Sequence, residues 1–200
     1  MRRPGRKANV RDINEGAAEA KPKRTTLDPE RARTRTLQRA VKLLAAKPRS
    51  VGELRERLLE KEWTNDEAVD YAIAKLSEYG YVDDEQFALG YASARVRQKP
   101  VGRSRLARDL QMKQIDRELA EQTLEKVFAA TPEAELIDAA IEKRTRLRGR
   151  PTNRQETKSL FDHLLRRGFS YDLIINKVRA LSSAELDEDE EADSGANDSL

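Results

Sequence analysis

Cysteine is absent from the 200 residues, and histidine occurs once, at His163. Without cysteine there are neither disulfides nor thiolate metal sites, a composition that suits a reducing cytoplasm. One imidazole cannot build a histidine metal cluster. Aromatic residues make up 5% and hydrophobic residues 38% of the chain, which leaves little apolar surface for a deep substrate pocket once a core is filled. No apolar run approaches the ~18 residues of a membrane span, and the basic N-terminus has no hydrophobic segment behind it. The reading is a soluble cytoplasmic protein with no membrane partner. Also missing are a phosphate-binding glycine loop, a nucleophile paired with a base, and converging carboxylates. The sequence therefore points to no enzyme, no metal and no cofactor.

What is present is charge, and it is segregated. The formal net charge is +3, yet residues 1–30 hold 8 Lys/Arg against 5 Asp/Glu, and residues 182–200 hold 8 acids and no base. The remaining body, 31–181, carries 31 basic against 23 acidic residues, a balance of +8. Both ends read as disordered: 1–30 is a basic tail without periodicity, and 182–200 is an acidic run with almost no apolar side chains.

Between the tails lies a succession of helix signals with almost no strand pattern, so the predicted fold is all-α. Asp28-Pro29-Glu30 suits a helix start, because proline fits the first turn and carboxylates face the positive dipole end. Ser50-x-x-Glu53 and Thr64-x-x-Glu67 have the form of capping boxes. Further starts are expected at Thr131-Pro132-Glu133, Thr152-x-x-Gln155 and Ser170, and helix ends at Gly80 and Gly168. The apolar positions then repeat. Leu54, Leu58 and Trp63 have the spacing of Leu106, Leu110 and Ile115, 52 residues on, and of Leu160, Leu164 and Phe169, 54 residues further. Each triplet precedes a helical stripe: Val69-Ile73-Leu76, Ala120-Leu124-Val127 and Ile174-Val178-Leu181. Lys47-Pro48 and Lys99-Pro100 keep the 52-residue offset. The pattern predicts an elongated array of three tandem three-helix repeats, 31–80, 81–130 and 131–181, each burying a small core of its own. Trp63 is expected in the core of the first repeat, and His163, between Leu160 and Leu164, as a partly buried spacer and not a base.

Two features suggest function. Asp83 and Asp84 stand where one helix has ended and another begins, so they read as caps; adjacent residues on a helix do not face the same way, which argues against a metal pair. The second feature is two basic runs free of acids. Arg95, Arg97, Lys99, Arg103, Arg105 and Arg108 span fourteen residues; Lys143, Arg144, Arg146, Arg148, Arg150 and Arg154 span twelve. Both fall between the first and second helices of a repeat, which places them at equivalent positions of the array. A solvated surface normally mixes signs, so these runs point to an anionic partner, phosphate backbone or an acidic protein. A direct nucleic-acid binder, or a helix-turn-helix transcription protein, is the alternative reading, although no repeat groups Asn, Gln and Arg for base edges.

Gly80-Tyr81-Val82-Asp83-Asp84, then Phe87-Ala88, Tyr91, Arg95, Arg105-Leu106 and Leu110, resembles the central motif of the RecX family of regulatory proteins, and the resemblance extends over about 35–181. It implies a monomer of three-helix repeats that binds the RecA filament on single-stranded DNA and inhibits RecA ATPase, strand exchange and coprotease functions. It carries over Asp83, Asp84, Phe87 and Tyr91 as structural residues. The group Arg95, Arg97, Lys99, Arg103, Arg105 and Arg108 carries over as part of the filament- or DNA-binding surface, with Lys143, Arg144, Arg146, Arg148 and Arg150 as its counterpart. Three departures bear on the geometry of the array. Lys99-Pro100-Val101-Gly102 replaces a Gly-Tyr-Gly-like hinge, Lys113-Gln114-Ile115 replaces a Lys-Gly-Ile-like step, and the hinge of the third repeat is longer.

Overall fold

A computed structural model describes residues 28–181. Among them are nine helices and no strand. Unit one holds α1 (Pro29–Ala46), α2 (Val51–Leu59) and α3 (Asp66–Glu78); unit two holds α4 (Asp84–Gln98), α5 (Arg103–Met112) and α6 (Arg117–Ala130). Unit three holds α7 (Glu133–Arg148), α8 (Arg154–Arg166) and α9, residues 171–181. None of these helices is long and apolar enough to cross a membrane. The tails expected to be disordered lie outside the described residues, apart from 28–30, which open α1.

The repeated leucines form the core. Leu54, Leu58, Leu106, Leu110 and Leu164 are all fully buried, and Leu160 nearly so. Each such side chain stabilises the fold by about 1.5–3 kcal/mol relative to exposure. The expectation of one core per repeat needs correction. Unit one has its own cluster, from Ala40, Leu54, Leu58, Val69, Leu76 and Val82. Units two and three share a single continuous cluster that runs from Ala88 to Val178.

Several caps differ by one residue from expectation. Ser50 Oγ accepts from Glu53 N, as the box requires, but the Glu53 carboxylate pairs with Lys113 instead of closing the box. The cap of α3 is Asn65, because Thr64 is buried and hydrogen-bonds Thr36 across the unit. Asn153 caps α8, while Thr152 donates its N–H and hydroxyl to Glu156. Gly80 and Gly168 have φ of 71° and 84°, as a left-handed helix end needs.

The units are joined by one device used twice. A carboxylate at the first position of the incoming unit's first helix accepts the first N–H of the preceding unit's second helix. Asp84 takes it from Val51 N at 2.8 Å, and Glu133 takes it from Arg103 N at 2.9 Å. In return, the cap of that second helix donates to the carbonyl that ends the incoming unit's second helix. Ser50 Oγ donates to Lys113 O, and Gly102 N to Arg167 O. The next residue is left-handed in both cases, Gln114 at φ 56° and Gly168 at φ 84°. The step that departs from the family pattern thus keeps a glycine-like backbone under a glutamine.

Candidate nucleic-acid and filament interface

Asp83 and Asp84 cap two different helices. Asp83 accepts from Gln86 N in its own helix at 3.0 Å, and Asp84 caps α2 of the neighbouring unit. Burial raises the Asp84 carboxyl above the ordinary carboxylate range, the Val51 N–H opposes that shift, and the Asp83 charge adds to it. Oδ1 of each aspartate is committed to a backbone N–H group. Phe87 and Tyr91 stack with ring centroids 6.1 Å apart and pack, partly buried, against the shared core.

The first basic run is closed by an acid that belongs to it. Asp109 is buried and accepts from Arg95 Nε at 2.9 Å and Arg105 Nε at 3.0 Å. These two arginines therefore neutralise an internal carboxylate and brace α4 against α5. Their exposure is reduced accordingly, and removing Asp109 would leave two charges uncompensated. Arg108 donates to Ser104 O, and Arg146 pairs with Glu142. Among the described residues Arg97, Lys99, Arg103, Lys143 and Arg148 form no ion pair, and Arg97, Lys99 and Arg103 are exposed around the hinge of unit two.

The two runs are linked through His163 and through Arg167, which the sequence pattern did not single out. Arg167, at the end of α8, donates through Nη1 to Pro100 O at 2.8 Å and through Nε to His163 Nε2 at 3.0 Å. Burial and the nearby charge of Arg95 both lower its pKa. His163 is pushed down to about 4, first by burial and then by Arg167, Arg144, Arg166 and Arg148, so at neutral pH it is an uncharged acceptor that orients Arg167. Arg144 donates to Ser159 Oγ at 2.9 Å, and burial with the charges of Arg148 and Arg166 lowers its pKa. One positively charged strip thus extends from the unit-two hinge, through Arg167 and Arg166, to α7 of unit three. At its far end an open cavity of about 400 Å³ is lined by Arg144, Arg148, Arg150 and Ser159. Its one carboxylate, Glu156, is held below the usual range by the Thr152 backbone and hydroxyl. The sequence signal for the link was Arg166-Arg167-Gly168, a basic pair before a left-handed glycine.

Residues 37–76, 83–124 and 131–176 match the first, second and third three-helix domains of RecX. The chain belongs to the RecX family. Among relatives, the regulatory protein RecX of Prosthecochloris aestuarii is 30% identical over 140 residues, covering 70% of this chain and 89% of that one. RecX of Thermobifida fusca is 28% identical over 182 residues, 91% of this chain and 93% of the relative. RecX of Bacillus licheniformis is 30% identical over 80% of this chain, which spans only 57% of that longer relative. The crystal structure of RecX from Lactobacillus salivarius shares the fold with a TM-score of 0.67 at 21% identity, over 76% of this chain and 98% of the other. In RecX terms, the strip lies on the second and third domains and crosses the joint between them.

Proposed function

We propose that this RecX-family protein is a cytoplasmic regulator that binds the RecA filament on single-stranded DNA as a monomer. It restrains RecA ATP hydrolysis, strand exchange and coprotease activity without chemistry of its own. Family membership supports the partner, and the observation that carries the contact surface is the strip. Cations from two units converge there, and several have no carboxylate to neutralise them among the described residues. Arginine binds paired oxygens bidentately, so the strip suits acidic protein side chains or phosphates of the filament.

The test uses cations outside the internal pairs. Replacing Arg97 and Arg103 with glutamate, and separately Lys143 and Arg148, should sharply reduce co-sedimentation with RecA filaments and restore RecA ATP turnover. Circular dichroism should show unchanged helicity. Direct phosphate contact adds a salt signature, since each lost single-strand contact flattens the slope of log affinity against log salt by about 0.7. Collapse of filament binding with little change on free DNA identifies RecA side chains as the target, the expected result. Wild-type filament binding by both folded variants would remove the strip from the interface.

A further inference from the structure

The 52-residue offset sets Arg35 and Arg39 of α1 against Phe87 and Tyr91 of α4, and Trp63 against Ile115. In unit two this corner is sealed: the two rings stack on the shared core, and Ile115 is 6% exposed. In unit three Phe169 fills the same position at 3% exposure. Unit one reverses the arrangement. The aromatic ring now sits after the second helix, half-buried, and the cations come from the first helix. Arg35 places its guanidinium 4.3 Å from the Trp63 ring centroid. A shallow depression of about 300 Å³ opens there, lined by Arg35, Gln38, Arg39, Lys42, Leu43 and Trp63.

This corner does not look like ordinary solvated surface. Arg33, on the same helix, is paired with Glu30 and Glu67, whereas Arg35, Arg39 and Lys42 pair with no carboxylate among the described residues. Arg39 Nε is buried without an acceptor, as are Arg33 Nε and Arg49 Nε of the same unit, so the unpaired charges and the partly exposed ring set this corner apart. A flat ring under a planar cation, flanked by two more cations, has the elements of a single-strand subsite. Bases stack on aromatic faces whatever their sequence, and phosphates take the neighbouring charges.

We infer that the Trp63 depression binds one unpaired nucleotide of single-stranded DNA. The base takes the place of the Arg35 guanidinium on the indole face, and Arg35, Arg39 and Lys42 hold the adjoining phosphates. The site lies on unit one, apart from the strip on units two and three.

Trp63 is the only tryptophan of the chain, so fluorescence excited at the red edge, beyond tyrosine absorption, reads this ring alone. Titrating the full protein with oligothymidylate should quench the emission and shield the ring from acrylamide. Inorganic polyphosphate and an abasic strand of equal charge should bind without quenching. Replacing Arg35 and Lys42 with alanine, or Trp63 with leucine, should weaken oligothymidylate binding by about tenfold, the loss expected for one stacked base. No quenching by oligothymidylate, or equal quenching by polyphosphate, overturns the proposal without the need for any variant. Filament co-sedimentation on the same preparation keeps the two readings separate. Filament binding without quenching refutes this site and leaves the regulatory reading standing; quenching without filament binding does the reverse.

Discussion

At the scale of single residues, Asp84 is a half-buried carboxylate that caps a backbone N–H on another unit. Its replacement by alanine leaves Val51 N–H uncapped and should destabilise the protein by about 1 kcal/mol, read from urea unfolding. Asparagine keeps an acceptor oxygen but carries no charge. Because burial raises the folded carboxyl above its ordinary 3.8, the folded state holds this proton more tightly than the unfolded chain does. Asp84 therefore makes stability fall as pH rises through the interval between 3.8 and the raised value. Asp84→Asn should flatten that slope while binding filaments as wild type does. A folded Asp84→Asn protein that loses binding would place the residue in the interface. The sequence showed that the aspartate pair caps helices, because a cap is a local event. It could not show that one of the two caps a helix 33 residues earlier, nor that Asp109 draws Arg95 and Arg105 inward, since both facts depend on packing.

At the scale of elements, the helix ends do the joining. Gly168 is left-handed and lies against the backbone of Arg105, so an added Cβ would strain its own conformation and collide with α5 as well. Gly80 has nearly the same conformation, φ 71°, with nothing near its missing Cβ. Alanine at Gly80 should cost only the conformational penalty, about 1–2 kcal/mol. Alanine at Gly168 should cost distinctly more and disturb the seating of α8 on unit two. Equal melting points for the two variants would mean that the contact at Gly168 relaxes freely. The pattern of glycines revealed both helix ends in advance. Gln114 was invisible by that signal, because its left-handed backbone is held by the packing of Gly52 beneath it and by the Gln114 amide on Glu56. Trp63 misled for a related reason: its spacing is that of a core residue, but the residues facing it are cations.

At the scale of the whole molecule, charge separation has a direct consequence. Deleting residues 182–200 removes eight acids and no base and takes the formal charge from +3 to +11. Binding to single-stranded oligonucleotides and to filaments should strengthen at low salt, and the gain should shrink as the Debye length shortens. Weaker binding after truncation would show that the tail itself touches the partner. The tandem three-helix plan was legible throughout, because periodic leucines report burial and burial here follows the repeat. The merging of two cores into one was not, since the spacing within each repeat is the same whether or not its neighbour shares the interior.

The two joints, alike in plan, differ in material. Between units two and three the chain backbones meet inside a common apolar interior. Between units one and two the contact is polar, with Lys113 on Glu53 at 2.8 Å and Gln114 on Glu56 at 2.7 Å. Units two and three thus form one apolar body, and polar contacts fasten unit one to it. The Gln114–Glu56 contact is exposed, while the Lys113–Glu53 pair is largely buried and so only weakly screened by salt. Loss of either polar partner therefore bears on the seating of unit one, while units two and three keep their shared core.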